Sequence, residues 1–178
     1  MQQKCHLNGH VDIACSLNGI GHVHYGQGKY DEALSFYQQG LKILEKYYFN
    51  GHDDIICTLN NIGYIQNEQG KYSEALDFHR QALAMQEKYY PSYYANIANT
   101  LNYISNVLVC QSKYDEALCY CQRALTMQEN YYPSGNASTA SSLNNIGNIL
   151  SDQGKYNEAI EFLQRALSTV EKHSPFDR

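Results

Sequence analysis

Six cysteines and seven histidines are the residues of this 178-residue chain best suited to chemistry. Thiolate and imidazole are the usual ligands of zinc, and they serve as nucleophile and base in many hydrolases. Their spacing here argues against both uses. Cys119 and Cys121 are two residues apart, as are His22 and His24, and on a helix of 3.6 residues per turn such pairs diverge by about 200°. His6 and His10 stand one turn apart, but no set of acidic partners accompanies them. Nothing supplies four ligands converging on one point, as a zinc site requires. The chain contains no G-x-S-x-G, P-loop or H-E-x-x-H motif. The expectation is therefore no catalytic residue, no metal, no cofactor and no enzymatic activity.

The acidic residues have a structural account. Asp31-Glu32 and Asp115-Glu116 recur at one place in a repeating pattern, where negative charge favours a helix N-terminus. The sequon Asn136-Ala137-Ser138 is a chance match, because Met1–His6 lacks the apolar stretch of a secretory leader. A cytoplasmic chain with all six thiols reduced is expected. Thirteen Lys+Arg against eighteen Asp+Glu give a formal charge of −5, which leaves no basic footprint for nucleic acid. No apolar run approaches 18 residues, so no membrane span is expected. Tyrosine is abundant at 17 residues and tryptophan is absent. The Tyr pairs 47-48, 89-90 and 131-132 are suited to packing helix ends, with rings buried and hydroxyls wet.

What positions these side chains is a repeat. Gly28-Lys29-Tyr30, Gly70-Lys71-Tyr72, Ser112-Lys113-Tyr114 and Gly154-Lys155-Tyr156 recur every 42 residues. Leu17-Asn18, Leu59-Asn60, Leu101-Asn102 and Leu143-Asn144 keep the same step. In the second unit Ile55, Ile56, Leu59, Ile62 and Ile65 follow the spacing of three and four that marks an amphipathic helix. Gly70 then breaks it, and a second pattern runs from Tyr72 to Tyr90. The expected helix pairs are 11–26 with 30–47, 53–68 with 72–89, 95–110 with 114–131, and 137–152 with 156–172. Small residues midway along the first helices (Gly21, Gly63, Ser105, Gly147) and on the second (Ala33, Ala75, Ala117, Ala159) let the two backbones approach. One helix pair cannot bury its apolar face, so units at about 9–50, 51–92, 93–134 and 135–176 must stack. An all-α solenoid of four helix-turn-helix repeats, eight helices in one domain over 1–178, is the expectation.

The strings Leu59-Asn60-Asn61-Ile62-Gly63, Gly70-Lys71-Tyr72, Glu74-Ala75-Leu76 and Gln81-Ala82-Leu83 resemble a tetratricopeptide repeat. The 42-residue period is similar to the kinesin light chain subclass, with its longer helices and loops. The resemblance implies a right-handed solenoid and a non-enzymatic protein–protein interaction scaffold. Such a scaffold would bind a peptide segment or partner in a concave groove lined by first helices.

On those helices the residues expected to form the groove are Asn18, His22, Asn60, Asn61, Tyr64, Asn102, Tyr103, Asn106, Asn144, Asn145 and Asn148. Asn18, Asn60, Asn102 and Asn144 make one rung per unit. Each amide offers donors and an acceptor to a peptide backbone. Replacing Asn60, Asn102 and Asn144 by Ala is expected to weaken binding and leave the fold intact. Residues 11–27, 53–69, 95–111 and 137–153 contain no Lys or Arg, but do contain Asp12, Asp53, Asp54, Glu68 and Asp152. The tetratricopeptide proteins that hold acidic peptides use groove cations, so a neutral or basic partner is expected here. Two other readings stand beside this one: a regulatory segment of a larger enzyme, and a structural array that associates end to end. The chain is read as beginning inside an inter-repeat loop and ending where a fifth unit would start. Either its last helix has a polar outer side or another molecule covers it.

Overall fold

A computed structural model describes the backbone of residues 2–48 and 52–172, with side chains from residue 10 onward. The described residues form eight α-helices and no strand. They are α1 (Gln2–Gly26), α2 (Tyr30–Tyr47), α3 (Asp53–Glu68), α4 (Tyr72–Tyr89), α5 (Tyr94–Cys110), α6 (Tyr114–Tyr131), α7 (Ala137–Asp152) and α8 (Tyr156–Glu171). Seven agree with the sequence expectation to within one residue. The first differs: α1 runs back to Gln2 in place of the expected loop and takes in Lys4, whose side chain lies outside the described residues, as do those of Cys5 and His6. The chain divides into two compact units, Met1–Tyr90 and Pro91–Arg178, each holding two helix pairs.

Each pair is hinged on a turn that needs a left-handed residue. Gly28, Gly70 and Gly154 adopt φ of 73°, 75° and 77°, conformations that a Cβ resists. In the first pair the amides of Gly28 and Lys29 reach back to the carbonyls of Tyr25 and His24 at 2.8 and 3.0 Å. This double closure satisfies the last carbonyls of the helix. The third pair makes the same bonds with Ser112 at φ 58°. A non-glycine residue there carries a strain of about 1–2 kcal/mol, partly offset by the lower unfolded-state entropy of Ser. Ser112→Gly should therefore stabilise the chain by about 0.5–1 kcal/mol, read as a rise in thermal midpoint.

Within each pair the helices meet at a matched pair of side chains. A Cβ added at Gly63 would sit 2.9 Å from the His79 ring, and one at Gly147 would sit 2.7 Å from Leu163 Cγ. At Gly21 it would lie 3.3 Å from the Tyr37 ring. In the third pair Ser105 replaces glycine, and the residue opposite shrinks to Cys121, whose thiol donates to Ser105 Oγ at 3.0 Å. Ser105 Oγ in turn donates to the Ala117 carbonyl at 2.9 Å. Space lost on one helix is returned by the other, keeping the interior close-packed.

Within each unit the second helix of one pair packs against the first helix of the next, α2 on α3 and α6 on α7. In the first unit Ala33, Leu34 and Tyr37 of α2 cluster with Ile62 and Ile65 of α3. Leu44 joins Ile55, Ile56 and Leu59, with Tyr48 and Tyr90 packed alongside. Polar links reinforce the contact at its rim: Gln69 Nε2 donates to Asp31 Oδ1 at 2.8 Å, and in the second unit Gln153 Nε2 donates to Asp115 Oδ1 at 2.8 Å.

Candidate functional site

Side chains of the first helices sort into rows, one member per repeat, and burial separates the rows. Ile56, Leu59 and Ile62 of α3, like their equivalents on α5 and α7, are buried. Two rows are exposed in every repeat: Cys15, Cys57, Asn99 and Ser141, and then His22, Tyr64, Asn106 and Asn148. A third row is mixed, with Asn61 exposed and Tyr103 and Asn145 half-buried. These are the surfaces that first helices offer to a ligand.

The asparagine row expected to lead the site lies only partly on these surfaces. Asn18 and Asn60 are half-buried, Asn102 is 7% exposed, and Asn144 is exposed. Asn18 Nδ2 donates to Thr58 Oγ1 in the following repeat at 2.7 Å, and Asn102 Nδ2 donates to Ser142 Oγ at 2.8 Å. Cys121 Sγ points at Asn102 Oδ1 from 3.6 Å. Asn60 Oδ1 accepts from His79 Nδ1 of its own pair at 2.9 Å. Asn18, Asn60 and Asn102 thus tie helices together while Asn144 stays exposed, and removing the Asn102 amide would leave buried Ser142 without that donor. Each Asn follows the core leucine by one residue, about 100° round the helix. Within a unit, that edge of the apolar stripe is covered when the following repeat packs on it.

In the first unit α1 and α3 bound a small cleft of about 170 Å³ lined by His22, Tyr25, Tyr37, Asn61, Tyr64 and Ile65. The Tyr25 and Tyr64 rings meet edge to face at 5.6 Å and 87°. The hydrogen bond to Tyr64, followed by burial, pushes Tyr25 up to about 12, so its phenol stays a neutral donor. A volume this small is below that of small-molecule pockets and suits a single side chain of a peptide. In the second unit Asn106 and Asn148 stand exposed on α5 and α7, while Asn99 Oδ1 accepts from Ser138 Oγ at 3.2 Å. A wider, shallow cleft of about 730 Å³ opens along α6 and α8, lined by Leu118, Met127 and Phe162 among others. Sequence spacing gives no sign of this cleft, because it marks second helices only by their packing positions.

The five described cysteines are free thiols. Burial, with Asp54 and Asp12 nearby, pushes Cys15 up, and burial raises Cys121 to about 11, so neither is an activated nucleophile. Among the described residues no three His, Cys, Asp or Glu side chains gather to hold a metal, and no helix is long and apolar enough to cross a membrane.

The tetratricopeptide repeat family model matches residues 12–88 and 96–172, two helix pairs in each match. The chain belongs to the tetratricopeptide repeat family. No curated protein sequence matches it. Among solved structures, this tetratricopeptide chain is similar to BtubC (BKLC) from P. vanneervenii, with a TM-score of 0.82 at 20% identity, covering 93% of this chain and 66% of that one. A Podosopora anserina putative kinesin light chain with nearly identical TPR-like repeats matches with a TM-score of 0.75 at 17% identity, over 91% of this chain and 77% of that one. A Rap protein complexed with Competence and Sporulation Factor matches with a TM-score of 0.80 at 18% identity, over 90% of this chain. The chain spans only 43% of that protein's length. At these identities the likeness is one of fold, and it includes kinesin light chain-like repeat proteins.

Proposed function

We propose that the chain is a non-enzymatic interaction scaffold that takes a neutral or basic peptide segment on the exposed faces of its first helices. The observation that carries this reading is the pair of exposed rows. His22, Tyr64, Asn106 and Asn148, with Cys15, Cys57, Asn99 and Ser141, present hydrogen-bonding and aromatic groups and no cation. Exposed Asp12, Glu68 and Asp152 border these faces, so an incoming carboxylate would meet like charge, while Lys or Arg would be attracted. The Tyr25–Tyr64 cleft would receive one apolar side chain, and the asparagines would bond the peptide backbone. The Rap protein complexed with Competence and Sporulation Factor supports the reading, since a chain of this fold there carries a bound factor.

The test is calorimetric titration with peptides of one length in Gly/Ser/Leu-rich, Lys-containing and Glu-containing versions. The neutral and Lys peptides should bind, with the Lys version weakening as salt rises. Tyr64→Ala should weaken the first-unit contact about five- to tenfold, the loss of roughly 1 kcal/mol of aromatic contact. Preferential binding of the Glu peptide would overturn the charge reading. Unchanged affinity in Tyr64→Ala would remove the cleft from it.

A further inference from the structure

The first and last helix pairs expose the two halves of a contact that the molecule makes internally. In the second repeat Ile55, Ile62 and Ile65 of α3 are at most 2% exposed, because α2 packs on them. Their counterparts one period earlier on α1 are Ile13, Ile20 and Val23, which are 49%, 43% and 59% exposed. On the other side of the same contact, Leu34 and Leu44 of α2 are 7% and 0% exposed. The residues in those places on α8 are Ile160 and Val170, at 52% and 50%, with Leu167 at 59% between them. The outer side of α8 is thus apolar.

The polar link is split in the same way. Inside the first unit Asn18 donates to Thr58, whose hydroxyl is oriented by its own bond to the Asp54 carbonyl at 2.6 Å. Asn102 and Ser142 repeat the arrangement in the second unit. The next donor in the series, Asn144, is exposed on α7, and the preceding acceptor, Ser16, is exposed on α1. Ser16 Oγ already donates to the Asp12 carbonyl at 2.8 Å, so its lone pairs face outward as those of Thr58 do. One end holds the donor and the other the acceptor, each beside its own apolar triplet.

We propose that a second copy of this chain docks its α1 face on the α7–α8 face of the first, in the register of the internal repeats, with Asn144 donating to Ser16 of the neighbour. The surfaces differ, so the contact is heterologous: it uses one face of each copy and leaves the other to receive a further chain. Interdigitation of Ile13, Ile20 and Val23 with Ile160, Leu167 and Val170 supplies the apolar burial.

Sedimentation equilibrium of the whole chain over a concentration series tests this, with Val23→Glu breaking one face and Leu167→Glu the other. Both positions are exposed in the single chain, so helix content by circular dichroism should not change. The weight-average mass of the parent protein should rise from 20.3 kDa past that of two chains. Each variant alone should stay at one chain. An equal mixture of the two should stop at the mass of a pair, because one variant keeps the α8 face and the other keeps the α1 face. Asn144→Ala should weaken association about three- to tenfold, the loss of one hydrogen bond. A parent protein of 20.3 kDa at every concentration, or a variant that still associates by itself, would overturn the proposal. So would a mixture that forms no pairs, which points to an isologous contact.

Discussion

Acidification from pH 7 to pH 5 should cost this protein about 2 kcal/mol of stability through one residue, His79. The imidazole is 1% exposed and packed over Gly63, with Nδ1 bonded to Asn60. Burial disfavours its charged form and lowers it from 6.5 to about 4. Between those values the unfolded chain binds a proton that the folded chain refuses. The contribution is therefore fully present above about pH 6.5 and is lost as pH falls toward 4. His79→Leu installs the residue that the fourth repeat carries at the same place, where Leu163 faces Gly147. At pH 7 the variant should lose about 1 kcal/mol, because Asn60 Oδ1 gives up a donor. Its stability between pH 7 and 5 should then fall more gently than that of the parent by about 2 kcal/mol, the His79 share. Urea midpoints at pH 7, 6 and 5 for both proteins make the comparison; parallel curves would remove His79 from the acid response.

Gly63→Ser should destabilise the chain by about 1–3 kcal/mol, the usual cost of overpacking, despite replacing glycine in a helix. The new Cβ would meet the His79 ring at 2.9 Å, and a buried ring has nowhere to move. Adding His79→Cys should recover most of the loss, because Ser opposite Cys is the pair that the third repeat already uses. The double-mutant cycle should show a coupling of about 1 kcal/mol or more. Additive losses would mean that the helices at this crossing adjust independently. The same logic makes Gly147→Ser costly alone and tolerable with Leu163→Cys.

The period, the limits of seven helices and the turns were legible in the chain, because each depends on local chemistry. Gly28, Gly70 and Gly154 mark left-handed turns wherever they stand, and the apolar spacing in Ile55–Ile65 permits only a helix with one buried stripe. The family followed from the same strings. The extension of α1 to Gln2 was not legible, because Asn8-Gly9-His10 repeats Asn50-Gly51-His52, a string that the period places between helix pairs.

The site was legible only in part. Cys57, Asn60 and Tyr64 share one broad face of α3 by spacing, and spacing cannot say which edge of that face the neighbouring repeat covers. Tertiary packing decided it, leaving Tyr64 exposed, turning Asn60 toward His79 and burying Asn102 against Ser142. The size exchange between Gly63–His79 and Ser105–Cys121 was visible as letters sixteen residues apart, without any sign that the pairs touch. A helix pattern records which residues must leave water. Which partner removes them from it depends on where a second helix crosses, and that crossing is set by the summed packing of both helices rather than by either sequence segment.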